Sequence, residues 1–211
     1  MRQWVGGLVS IVLLPACSLY WETPHDKADA SPRDASRRDA SPNDAPPCAV
    51  VVSYDWNDGT PQGWTASTAV SNVGGALVFT NQGNGSLQAF GPEAPSVLAE
   101  TDVISFTVRI DQYSAVTAPS QLTRSFFSLN TPFPGDGTLQ FALDVSTLAF
   151  GQPHVYTFSV SAGSFTGSLT RAVFLGHVKF ASLLFAEQSF SGNTSAGTLD
   201  DFKIVRTACT P

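Results

Sequence analysis

The sequence predicts an all-β fold, a two-sheet antiparallel β-sandwich of jelly-roll form, and three observations predict it. Apolar residues recur at every second position over short runs, and no segment sustains helical spacing. Gly, Asn, Ser and Pro separate those runs at regular intervals, as the turns of a sandwich or jelly roll do. All fifteen Phe of the 211-residue chain fall after Cys48, so the material for a core is confined to residues 48–211. That stretch is one ordinary domain, long enough to bury most of its unfolded-chain surface.

Taken in order, the alternation starts with Val50, Val52, Tyr54 and Trp56 on one face. Its clearest run sets Ile104, Phe106, Val108 and Ile110 against Ser105, Thr107 and Arg109. Further strand candidates are 76–80, 86–90, 124–129, 138–145, 155–160, 172–180, 181–186 and 199–206. The run Asn81-Gln82-Gly83-Asn84-Gly85 is a turn signal expected to join two of them as a hairpin. Short helices fit around 94–99 and 183–188, neither long enough to form a layer.

Ahead of the domain the chain has a different character. Arg2 is followed by an uncharged apolar run from Trp4 to Leu14, too short for the roughly 20 residues that span a bilayer. A charged start, a short apolar core and a small residue before a cut describe an export signal over residues 1–16. From Pro24 to Pro47 a unit beginning Asp-Ala-Ser or Asp-Ala-Pro starts at Asp29, Asp34, Asp39 and Asp44. With almost no large apolar residue, this segment cannot offset the entropy of ordering, and it is expected to be a disordered tether. Its prolines favour extended polyproline geometry, which allows a reach on the order of 70 Å. A spacer and a linker of no specific use are both consistent with it.

Leu14-Pro15-Ala16-Cys17 resembles the lipobox of bacterial lipoproteins. The resemblance implies cleavage before Cys17, a diacylglycerol thioether on that residue, and an N-acyl chain such as palmitate. Two or more chains give stable anchoring where a single one does not. Ser18 in place of Asp implies the outer membrane, so the localisation expected is the cell envelope, with the lipid bilayer as a partner. Residues 17–47 then form the lipidated N-terminus and tether. Once Cys17 carries lipid, Cys48 and Cys209 are the two thiols left in an exported protein, and one pairing is available. That disulfide requires the first and last strands to lie side by side, and loop-closure models give it about 5 kcal/mol.

Within residues 48–211 six basic residues face eleven acidic ones, a net charge of −5 with no basic cluster. Nucleic acid is therefore not an expected partner. No nucleophile elbow, zincin helix or phosphate-cradling loop occurs. His25 lies in the tether, and His154 and His177 have no acid or Cys at metal-ligand spacing. Glycoside hydrolysis needs two carboxylates at defined separation, yet Glu93, Glu100 and Glu187 stand alone. Asp200 and Asp201 are adjacent, which in a regular strand sends them to opposite faces. A glycan-active hydrolase is the least supported reading, and the chain is not expected to be an enzyme.

Tyr54-Asp55-Trp56-Asn57-Asp58-Gly59 with Gly63-Trp64, and the closing run Gly197-Thr198-Leu199-Asp200-Asp201-Phe202-Lys203-Ile204, resemble the ends of concanavalin A-like and carbohydrate-binding jelly-roll modules. The resemblance covers under thirty residues and leaves the ligand face unassigned. No cofactor is expected to be required; the resemblance implies that Asp58 and Asp200 could supply some of the 6–8 oxygens of a structural calcium, and the alternative is that these acids cap turns and face water. It also implies a sugar platform of exposed aromatic rings, for which the candidates are Tyr113, Trp64 and Tyr156. Tyr113, at a strand end after Asp111, is the one expected to be exposed, whereas Trp64 after Gly63 and Trp56 also suit the core. The function expected is a membrane-anchored lipoprotein presenting a non-catalytic binding module for glycan or another envelope component. The alternative is a structural or protein-interaction lipoprotein.

Overall fold

The computed structural model describes residues 49–83, 85–93, 96–131, 136–189 and 192–207. Cys17, Cys48 and Cys209, the signal segment and the tether lie outside the described residues. Among the described residues, twelve strands form two antiparallel sheets, so the domain is an all-β sandwich as the alternation predicts. The strands are β1 (Val50–Tyr54), β2 (Thr65–Ala66), β3 (Ala69–Val73), β4 (Ala76–Gln82), β5 (Leu87–Phe90) and β6 (Val103–Tyr113). They continue with β7 (Phe126–Asn130), β8 (Thr138–Ala142), β9 (His154–Ser159), β10 (Ser164–Thr166), β11 (Phe180–Phe185) and β12 (Thr194–Val205). Sheet A runs β3-β4-β12-β6-β9, with β1 also on β12; sheet B runs β10-β8-β7-β11-β5-β2.

Alternation explains the layers. In β6, Ile104, Phe106, Val108 and Ile110 are buried while the residues between them are half-buried. Sheet B answers with Leu87 and Ala89, Phe127 and Leu129, Leu139 and Phe141, and Leu183 and Phe185. Rings meet across the gap: Phe106 lies 5.1 Å from Phe127, and Phe141 lies 5.2 Å from Phe158. Each large apolar side chain buried this way contributes about 1.5–3 kcal/mol.

Two bulges alter the phase of this pattern. On β12, Asp200 pairs with Thr107 and Lys203 with Ser105, three steps against two. Asp201, at φ 49°, is the extra residue. Both Asp200 and Asp201 therefore stay outside the core, and Phe202 returns to it. The expectation that these neighbours face opposite ways fails for this reason. On β6, Gln112 pairs with Ala196 and Ile110 with Gly197, so Asp111 is extra and Tyr113 turns inward.

Two further expectations are corrected. The Asn81–Gly85 segment does not close a hairpin, because β4 pairs with β3 and β12 while β5 pairs with β2 and β11. It carries the chain from one sheet to the other; turn residues specify a reversal but not which edge the next strand joins. Residues 172–180 are not a strand either. Thr170 accepts the Val173 N–H through its hydroxyl and starts the short helix α1 (Arg171–Leu175), which Gly176 ends. The strand begins only at Phe180. Of the two short helices expected, residues 183–185 belong to β11, and Ser96 bridges to Val178.

Strands β1 and β12 are neighbours, with Val50 opposite Val205 and Tyr54 opposite Phe202. The Arg206 N–H donates to the Ala49 carbonyl at 3.0 Å. The adjacency that a Cys48–Cys209 bond requires is thus present in the described residues beside them.

Candidate functional site: the outer face of sheet B

The residues in the opposite phase to the core build the outer face of sheet B. Strand pairing sets them in three rows that run across the strands. The middle row is Ser164, Gln140, Ser128, Ser182, Phe90 and Thr65, each opposite the next in register. On one side of it lie Ala142, Phe126, Leu184 and Gln88. On the other lie Thr166, Thr138, Asn130 and Phe180. Rows sit about 7 Å apart and strands about 4.8 Å apart, so the face presents a grid roughly the width of a short oligomer.

A shallow groove of about 310 Å3 occupies this face, lined by side chains from β5, β7, β8 and β11. Its floor is a linked set of neutral polar groups. The Ser128 and Ser182 hydroxyls are 2.7 Å apart. The Asn130 amide donates to Ser128 Oγ at 3.2 Å, and the Thr138 hydroxyl donates to Asn130 Oδ1 at 3.0 Å. The Gln88 amide donates to Ser86 Oγ at 2.6 Å. Beside this floor stand Phe126, half-buried, and Phe90, 36% exposed. The side chains lining the groove include no ionisable group. Such a surface offers ring faces for C–H stacking and a fixed pattern of amides and hydroxyls for hydrogen bonding.

The aromatics expected to form a platform are elsewhere. Tyr113 is buried, because the Asp111 bulge turns it inward, and its hydroxyl donates to the Gly85 carbonyl at 3.1 Å. Tyr156 is buried on the inner side of β9 and donates to the Asp144 carbonyl at 2.9 Å. Burial pushes its phenol well above the ordinary range. Trp64 is buried against Tyr54, Trp56 and Phe202, with ring centroids 5.6–5.8 Å away. These rings build the core, and none presents a face to solvent.

The two acids of the calcium expectation are each held by local bonds. Asp58 Oδ1 accepts both the N–H and the hydroxyl of Thr60 at 2.9 Å, and the Thr60 N–H holds the carboxyl below its usual range. Asp200 Oδ1 accepts the Asp201 N–H at 2.8 Å. Each acid closes a local turn or bulge, and among the described residues no three His, Cys, Asp or Glu gather into a metal site. His154 stacks edge-on against Tyr156 at 4.6 Å, and His177 Nδ1 lies 2.8 Å from the Val173 carbonyl.

Most residues of the groove lie inside strands that the alternation locates, in the phase that the core does not use; Asn130 falls one residue past the 124–129 candidate, and Leu183 belongs to the core phase. The signal is their lack of charge. What one sequence does not supply is strand order, which sets β7, β8 and β11 side by side.

No family model matches the chain, and no curated protein matches it. Solved structures of similar architecture include a family 11 carbohydrate-binding module from Clostridium thermocellum in complex with a β-1,3-1,4-mixed-linked tetrasaccharide. It is 10% identical with a TM-score of 0.46, covering 72% of this chain and 94% of that one. A CBM22-1 xylan-binding domain from Paenibacillus barcinonensis is 14% identical with a TM-score of 0.44, covering 77% and 98%. An exo-β-agarase structure is 13% identical with a TM-score of 0.47, covering 74% of this chain and 24% of that one. The β-sandwich class of the domain rests on its own two antiparallel sheets.

Proposed function

We propose that the chain is an envelope lipoprotein whose sandwich is a non-catalytic glycan-binding module, with the outer face of sheet B as its binding face. The observation that carries this reading is the groove on that face: Phe126 and Phe90 beside a neutral ladder of Ser, Asn, Thr and Gln side chains. Polysaccharides are chains of hydroxyls with apolar C–H faces, and this surface complements both. The cross-strand rows suit an extended chain lying over several strands. Support for the anchor is the lipobox at Leu14–Cys17 and the proline-containing repeats beyond it. Acylated Cys17 would hold the module at the outer membrane, and the repeats would set its distance from lipid.

The test is retention of the exported protein carrying Cys17→Ala on a panel of insoluble polysaccharides, beside its Phe126→Ala derivative. Retention on at least one polysaccharide, lost or cut about tenfold by Phe126→Ala, is expected for a hot-spot ring. Failure of the protein to bind any member of a broad panel would overturn the reading.

A further inference from the structure

Resting on that reading of the groove, we propose that it selects for uncharged polysaccharide and rejects uronate- or sulfate-bearing chains, and that Gln140 is its specificity-determining arm. The first observation is the composition of the face. Along the middle row, from Ser164 through Gln140, Ser128, Ser182 and Phe90 to Thr65, no side chain carries charge, and the flanking rows carry none. Lys179, just before β11, has its ammonium 3.7 Å from the Glu93 carboxylate. The backbone N–H groups at the sheet centre are spent in the ladders. An ionised sugar entering this groove would give up hydration with no cation among the lining side chains to receive it, which is the costly way to bury a charge. The domain's net charge of −5 adds repulsion at longer range.

The second observation is which polar groups are already committed. Ser128, Ser182, Asn130 and Thr138 bond to one another, and Gln88 bonds to Ser86. They fix the shape of the floor. Gln140 is different: it is exposed at the centre of β8, and among the described residues its amide makes no hydrogen bond. Its neighbours in the row are Ser164 and Ser128, and Phe126 lies on the adjacent strand. A carboxamide offers an acceptor and two donors in one plane. That array engages two neighbouring hydroxyls of a sugar while the ring face rests on Phe126.

Isothermal titration of the full-length protein in detergent tests this, with soluble mixed-linkage β-glucan, galactomannan and dextran against polygalacturonate, alginate and heparin. At least one neutral polymer is expected to bind, and no acidic polymer within tenfold of its affinity, at both low and high salt. Gln140→Glu and Gln140→Ala should each weaken the neutral ligand about tenfold with an unchanged melting temperature, because the side chain supports nothing else. Acidic polymers binding as tightly as neutral ones would overturn charge selection, and unchanged affinity in both Gln140 variants would overturn the role of Gln140. Either result leaves glycan binding standing. Binding of no polymer at all would remove the groove reading itself.

Discussion

The guanidinium of Arg206 meets the fully buried carboxylate of Asp102, Nε to Oδ1 at 3.2 Å and Nη2 to Oδ2 at 3.3 Å. The same carboxylate accepts the Ala99 N–H at 2.8 Å, and Arg206 also donates to the Val97 carbonyl at 2.9 Å. One buried acid thereby ties the residue after β12 to the loop before β6. Asp102→Ala strands the Ala99 N–H, which alone costs about 1–3 kcal/mol. Thermal unfolding should show a melting temperature lower by several degrees.

Adjacent residues of β7 separate stability from binding. Phe127 is buried in the core and stacks near Phe106, Phe141 and Phe202, whereas Phe126 faces the groove. Phe127→Ala should cost about 3–5 kcal/mol. Phe126→Ala should cost much less and should lose glycan affinity; denaturant unfolding and titration on the same two proteins check both.

Gly197 sits in the middle of β12, where a Cβ would lie 2.9 Å from the Arg109 carbonyl and 3.2 Å from Leu87 of the opposite sheet. The strand approaches both neighbours too closely for a side chain. Gly197→Ala should destabilise by about 1–3 kcal/mol through overpacking, seen as a lower denaturant midpoint with an unchanged slope.

The Arg171 guanidinium clamps Glu100 with two bonds, at 2.7 and 2.9 Å, and it also reaches the Val160 and Gly163 carbonyls. Arg171 holds the Glu100 carboxyl below its ordinary value. A carboxyl depressed in the folded state stabilises above its unfolded value of about 4.3 and loses that contribution as the pH falls through the folded one. Stability should therefore drop on acidification below about pH 4.3, and Glu100→Gln should flatten that part of the profile. The effect will be modest because the pair is partly exposed.

Mass spectrometry of unreduced exported protein should show Cys48 joined to Cys209, a proposal supported by the β1–β12 pairing beside both residues. Metabolic labelling with palmitate should disappear in Cys17→Ala. Free thiols at 48 and 209, or labelling that survives the substitution, would count against the respective assignment.

Much of the core is legible in the sequence because it follows period two: the Ile104–Ile110 alternation and the buried Trp56 stand as the apolar pattern puts them, whereas Val50, read on the same face as Trp56, is 59% exposed beyond a register shift in β1. The bulges are not legible. A single extra residue at Asp111 or Asp201 reverses the phase of the strand beyond it, and nothing in the local sequence announces it. The expectation of an exposed Tyr113 fails for that reason. Residues 172–180 look like a strand by composition, and the Thr170 cap and Gly176 decide otherwise over half of them. The groove depends on which strands are neighbours, a long-range property that only the assembled sheets reveal.

The Asp200–Asp201 bulge also marks a handover along one edge of β12: residues 194–199 pair with β4, and residues 202–205 pair with β1. Among the described residues, strand β1 has no other partner in the sheet. With a bilayer anchor at the N-terminus and a polysaccharide on sheet B, tension would enter the domain through β1 and be shared between that short ladder and the backbone that runs on to β2. A Cys48–Cys209 bond would carry the same load past β1 into the chain that ends β12. The bridge would then act as a strain relief for a module that is pulled on while it binds.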